Sequence, residues 1–259
     1  KEVVGDDARV SVLVPPNVSP HNYSMKPSGR ERLARADLVV WLGPGMEPFL
    51  SRLMDDSSLA HKSITLHHDE PAPRSDHRDH PGNHSHGADS TDPHVWLDPD
   101  KVRAMLPTLI ESLTAIRGLD REILEDNRQA FLQRLDNTEA SIRHRLENLP
   151  PMELFTYHGA FQHFADHFGL TISGTLSPDP QRKPGAQHLA ELRRQLANAN
   201  HPCLMTEPQF SRNWWRGLSL DKTLSVSHWD PLGTDIEPAH AGYTRLLEQL
   251  AEAVAQCHN

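Results

Sequence analysis

Between Asp120 and Asn148 runs a proline-free stretch with apolar residues at Leu124, Phe131, Leu135, Ile142 and Leu146, closed by Pro150-Pro151. That spacing keeps one apolar stripe on one face of an α-helix. At 1.5 Å per residue the helix would measure roughly 43 Å, enough to run the length of a two-lobed molecule as a spine. On both sides the pattern changes to short apolar runs alternating with helical periodicity. Ahead of the spine, strand-like runs at Arg9 to Val14, Leu38 to Leu42 and Ser63 to Leu66 interleave with helical segments from Ser28 and from Glu47 to Met54. A further helix starts near Asp100. Behind the spine, strands at Leu154 to Tyr157, Leu170 to Ser173, Cys203 to Thr206 and Thr223 to Val226 alternate with helices at Ala160 to Phe168, His188 to Ala197 and Ala241 to Ala255. Strand and helix in alternation predict parallel sheets covered on both faces. The expectation is an α/β protein with an N-terminal lobe over 1–118, a linking helix over 119–149 and a C-terminal lobe over 150–259. A chain of 259 residues is long enough for each lobe to bury a core.

The 18 histidines divide into two populations. One crowds the stretch from His67 to His86, at His67, His68, His77, His80, His84 and His86, among Pro, Gly, Asp and Ser. Such a composition reads as a long mobile loop carrying imidazole without a fixed cage, an accessory collector of metal ions. The other population consists of single residues at the edges of ordered segments. His21 follows the Arg9 to Val14 run and Pro15-Pro16, His158 follows the Leu154 to Tyr157 run, and His94 precedes the helix capped by Asp98. In open αβ sheets ligands collect at the carboxyl ends of strands, so these positions suit a fixed site. Imidazoles from three such distant segments can meet only between the lobes. His163 and His167 are expected on the solvent side, beside the apolar stripe of Phe161, Phe164 and Phe168.

The formal charge of -9 gives no basic excess to neutralise phosphates, so nucleic acid is not an expected partner. No apolar run approaches the roughly 20 residues of a membrane-spanning helix. The opening Lys1-Glu2-Val3-Val4-Gly5 has no leader character, so an export signal is expected to lie outside the chain. The two cysteines, Cys203 and Cys257, form no close metal-binding pair. A long-range disulfide is the natural reading, with two separate buried thiols as the alternative.

Longer motifs now carry a resemblance. The segment Ser19 to Ser28, ADLVVWLGPGMEPFL at Ala36 to Leu50, DPHVWLDP at Asp92 to Pro99, TYHGAFQHFADHFGL at Thr156 to Leu170, TEPQF at Thr206 to Phe210 and DPLGT at Asp230 to Thr234 look like the zinc-specific solute-binding proteins of bacterial ABC importers, in the metal-binding cluster A-I family. The likeness covers almost the whole chain in the same order. It implies two αβ lobes joined by a rigid helix, with Zn2+ held between them by His21, His94 and His158. It implies a Gram-negative periplasmic location, an ABC importer permease as partner, a monomer and a disulfide between Cys203 and Cys257. By the same resemblance, the first strand and most of the first helix of the family are expected to lie ahead of Lys1. An acidic fourth ligand often stands before the first histidine in relatives, and here that position is Pro20, which leaves Asp230 or a water. Glu47 and Glu207 are candidates to orient a ligand from behind, with loop capping as their alternative.

Three imidazoles favour zinc, whereas manganese prefers more carboxylate oxygen, and manganese-binding relatives carry an acid where His158 stands. A manganese or iron importer component is therefore the first alternative reading. A zinc hydrolase is the second, weakened because no HExxH occurs and His163-Phe164-Ala165-Asp166-His167 lacks the glutamate. No enzymatic activity is expected.

Overall fold

In the computed structural model, which describes residues 1–67, 92–177, 184–210 and 224–258, the chain forms two αβ lobes. The smaller holds α1 (Pro27–Arg35), β1 (Val39–Trp41), α2 (Ser51–Met54), α3 (Ser57–Ala60) and β2 (Ser63–Thr65). β1 and β2 pair in parallel, Val39 against Ser63 and Trp41 against Thr65. Leu33, Val39, Trp41, Leu50 and Leu59 close into one small core between these elements. Gly43 ends β1 at φ +134, where a Cβ would come within 2.8 Å of the His67 carbonyl oxygen. Only glycine accepts both conditions.

The larger lobe is built on α4 (Pro99–Thr114) and α5 (Arg121–Glu147), which pack against one face of its sheet. The spine forms as its spacing predicts. Asp120 caps it by accepting from the backbone N–H groups of Glu122 and Ile123, and Leu124, Phe131, Leu135, Ile142 and Leu146 are all buried. Burying each such side chain contributes about 1.5–3 kcal/mol, so the stripe outweighs the helix's otherwise polar composition. α4 begins in the same manner, with Asp98 accepting from the Asp100 N–H and Pro99 in the first turn, where its missing donor costs nothing.

Beyond the spine come β3 (Glu153–His158), α6 (Gln162–Phe168), β4 (Ile172–Ser177), α7 (Ala186–Asn198), β5 (Pro202–Thr206), β6 (Ser225–His228) and α8 (Gly242–Ala255). Their strands form one parallel sheet in the order β4-β3-β5-β6. Its central strands β3 and β5 are buried almost throughout, as helices on both faces require. One continuous apolar cluster joins Leu106, Ile110 and Leu113 of α4 to the α5 stripe, Phe164 of α6 and Leu247, Leu250 and Val254 of α8. That cluster spans the boundaries read from the sequence at 118 and 150. Cys203 on β5 and Cys257 past α8 are joined by a disulfide, which fastens the last helix to the sheet. Among the described residues no helix is long and apolar enough to cross a membrane.

Two local expectations are corrected. Arg9 to Val14 pairs with no strand among the described residues; Val10 and Val12 are exposed, and the guanidinium of Arg32 takes up the carbonyls of Val12 and Leu13. Alternation made the segment strand-like, but a strand needs a neighbour. The helix expected from Glu47 starts only at Ser51, because the Glu47 carboxylate turns back to accept from the N–H groups of Leu42 and Gly43. His68, His77, His80, His84 and His86 lie outside the described residues.

Candidate metal centre

Three elements bring three imidazoles together. His21 sits in a 3₁₀ turn, Pro20–Asn22, just ahead of α1, rather than on a loop leaving a strand. His94 precedes a second 3₁₀ turn, Val95–Leu97, whose Val95 and Leu97 are buried in the core. The same turn is fastened on both sides: Trp96 Nε1 donates to the Pro231 carbonyl at 2.8 Å, and Tyr243 Oη donates to the Trp96 carbonyl at 2.9 Å. His158 is the last residue of β3, at the carboxyl end of the sheet, where a side chain reaches beyond the strands. Ala160 and Phe161 behind it are fully buried, so the position of the ring is set by the core.

The rings meet through their Nε2 atoms. His94 Nε2 lies 3.2 Å from His21 Nε2 and 3.3 Å from His158 Nε2, and one nitrogen of each ring falls within 4.8 Å of the others. Nitrogens bound tetrahedrally at about 2.0–2.1 Å stand about 3.3–3.4 Å apart, so the spacing is that of ligands around one zinc-sized ion. His94 and His158 are buried, at 5% and 4% exposure. Ser19, Met46, Gln209, Phe210 and Leu232 help to wall the space between the rings, which leaves a cavity of about 10 Å³. A space of that size is enough for one ion or one water.

Two carboxylates fix the rings from behind. Asp92 Oδ1 stands 2.6 Å from His94 Nδ1, and Glu207 Oε1 stands 2.8 Å from His158 Nδ1. A carboxylate that accepts from Nδ1–H leaves the Nε2 lone pair facing inward. Two such lone pairs 3.3 Å apart repel each other, and a cation between them removes the conflict. Burial lowers the pKa of His94 despite the opposing pull of Asp92, which favours the neutral ligand form. Burial pushes the Glu207 carboxyl up, with the His158 ring opposing. Glu207, within the TEPQF motif, thus has its carboxylate on the far nitrogen of the His158 ring. Asp92, the first residue of the DPHVWLDP motif, stands in the same way behind His94, a placement not among the expectations from the sequence. Its signal was present: an aspartate two residues before a histidine can reach Nδ1 while capping the backbone N–H, as Asp92 Oδ1 does at 3.0 Å.

The other candidates fall elsewhere. Asp230 is not among the residues walling the cavity. Its Oδ1 accepts from the Leu232 N–H and from Gln209 Nε2, and its Oδ2 accepts from the N–H and hydroxyl of Thr234. The carboxylate is committed to its own turn. Glu47 caps the loop after β1, the alternative considered for it, and burial raises its pKa to about 7. The solvent-side placement expected of His163 and His167 is corrected. The His167 side chain is 6% exposed, with Nε2 2.6 Å from Glu139 and Nδ1 3.2 Å from Asp98, because α6 packs against both α5 and the start of α4. Asp98, Asp100 and His167 group their ligand atoms as a metal site would, yet Arg103 pairs with Asp100, Asp136 and Glu139 and Arg143 reaches His167, so the cluster is an ion-pair network.

Two parallel αβ lobes with imidazoles meeting between them make this chain one of the two-lobed solute-binding proteins. It belongs to the family described as "Zinc-uptake complex component A periplasmic", ZnuA, whose model matches residues 1–257. The high-affinity zinc uptake system protein ZnuA of Yersinia pestis is 30% identical over 267 residues, covering 95% of this chain and 83% of that protein. ZnuA of Haemophilus ducreyi is likewise 30% identical, over 265 residues, covering 95% and 85%. Among solved structures, a zinc-bound ZnuA deletion mutant superposes with a TM-score of 0.77 at 28% identity, covering 98% of this chain and 91% of that one. The periplasmic zinc-binding protein TroA of Treponema pallidum shares the fold, with a TM-score of 0.75 at 21% identity and coverage of 99% and 93%.

Proposed function

We propose that this protein captures Zn(II) outside the cytoplasm, in the Gram-negative periplasm, and hands it to the membrane permease of an ABC importer. His21, His94 and His158 each give one Nε2 to the ion. A water completes the tetrahedron, while Asp230 holds the wall of the cavity. The protein acts as a monomer and catalyses no reaction. The observation that carries the reading is the approach of His94 Nε2 to both other rings at 3.2 and 3.3 Å, with Asp92 and Glu207 behind them. The zinc named for the relatives agrees with this nitrogen-rich donor set. Manganese or iron would gain little from such a set.

Capture requires neutral rings, and burial of His94 keeps that ring neutral. Binding therefore draws on lone pairs already aimed at the ion, and little reorganisation opposes it. On composition alone, the histidines at 67–86 supply further weak zinc sites. The direct test is calorimetric titration of metal-free protein with zinc and then manganese. Tight zinc binding, abolished in His158→Ala and not competed by manganese, supports the proposal; preferential manganese binding overturns it.

A further inference from the structure

His163 lies five residues beyond His158 and takes no part in the imidazole cluster, yet it touches the residue that orients His94. Its Nε2–H donates to the Asp92 carbonyl at 3.0 Å and stands 3.7 Å from Asp92 Oδ2. Asp92 in turn uses Oδ1 to accept from both Nδ1 and the backbone N–H of His94. Its Oδ2 is buried and has no hydrogen-bond partner. On its other side α6 is fixed by Phe164, Ala165 and Phe168, all buried, one short turn after the strand that ends in His158. One side chain thus spans from the helix following one ligand to the backbone carbonyl of the residue whose carboxylate stands behind another.

We propose that His163 is a positioning residue for zinc capture, which holds Asp92 in register with β3 and so fixes the distance between the Nε2 atoms of His94 and His158. The inference rests on the zinc-binding reading given above. The physical reason is geometric: a carboxylate aims a ring only as well as its own backbone is held, and supporting groups of this kind govern metal affinity. A displacement of a few tenths of an ångström at Asp92 would be passed directly to the His94 ring.

Three variants separate the hydrogen bond from the packing. Glutamine places its Nε2 where the histidine Nε2 stands, asparagine is polar but too short to reach the carbonyl, and leucine fills space without a donor. In competition against a chromophoric chelator, His163→Gln should keep zinc affinity within about threefold of wild type, whereas His163→Asn and His163→Leu should each lose about tenfold. Cobalt-substituted protein gives a second readout: the visible ligand-field bands should shift in the asparagine and leucine variants and stay in place in the glutamine variant. His158→Ala is measured alongside, so that failure of the zinc reading, seen as undiminished binding there, is told apart from failure of this inference. Should the leucine variant not fold, the pair of polar variants decides alone. Equal affinities for glutamine and asparagine, or wild-type affinity in all that fold, overturn the proposal.

Discussion

His94 and His158 stand 64 positions apart in the chain and meet Nε2 to Nε2 at 3.3 Å, each with a carboxylate on its opposite nitrogen. The two pairs, Asp92 with His94 and Glu207 with His158, bring two potential negative charges to a buried site that would receive a divalent cation. Replacement of Glu207 by glutamine retains an acceptor for Nδ1–H but removes the charge. Glu207→Gln and Asp92→Asn should each weaken zinc binding about 10–100-fold, measured by chelator competition. Wild-type affinity in both variants would show that these carboxylates do not tune the site.

Protons and zinc compete for the same lone pairs, which fixes the sign of the pH dependence. The folded protein holds the pKa of His94 below its ordinary value, so the unfolded chain binds the extra proton as pH falls through about 6.5. The stability this ring contributes is present above that pH and lost below it. Glu207 runs the other way, its pKa raised by burial with the His158 ring opposing, while any proton held on an imidazole lone pair must leave before the ion can bind there. Zinc affinity should fall between pH 7.5 and 5.5, and titrations in buffers of different ionisation enthalpy should show net proton release. Equal affinity at both pH values would contradict imidazole ligation.

The Cys203 to Cys257 disulfide closes a sequence separation of 54 and fastens α8 to β5, away from the rings. In the chain-entropy model a loop of that length contributes about 4 kcal/mol. The double variant Cys203→Ser with Cys257→Ser should lose about that much stability in denaturant unfolding while keeping its zinc affinity. Loss of zinc binding in protein that remains folded would show that the crosslink also shapes the site.

Asp230 accepts four hydrogen bonds within and beside its turn, and that turn carries Pro231, which receives the Trp96 indole, and Leu232, which walls the cavity. Asp230→Ala should therefore act mainly on stability, at about 1–3 kcal/mol for the donors left unpaired. Its effect on zinc affinity should be much smaller than that of His94→Ala. An equal loss of affinity in the two variants would make Asp230 a ligand.

What could be read from the sequence follows from how local each signal is. The spine was legible because cap, stripe and terminating prolines all lie within one segment, and the structure places α5 at Arg121–Glu147. His158 was legible because it ends a buried strand. His21 was assigned to the exit of a strand at Arg9 to Val14 that does not form, since strand pairing depends on a partner elsewhere in the chain. The surroundings of His167 were hidden for a related reason, whereas the contact of Asp92 with His94 is local. The contacts of His167 depend on α5 and the start of α4 lying opposite it, and periodicity within a helix does not reveal its neighbours.

The most direct measurement is an anomalous-scattering map at the zinc edge from crystals of the zinc-loaded protein. One strong peak should lie about 2.0–2.1 Å from Nε2 of His21, His94 and His158, with an ordered water as the remaining neighbour. A peak elsewhere in the fold, or any of these three rings standing outside bonding distance of the ion, would contradict the proposed centre.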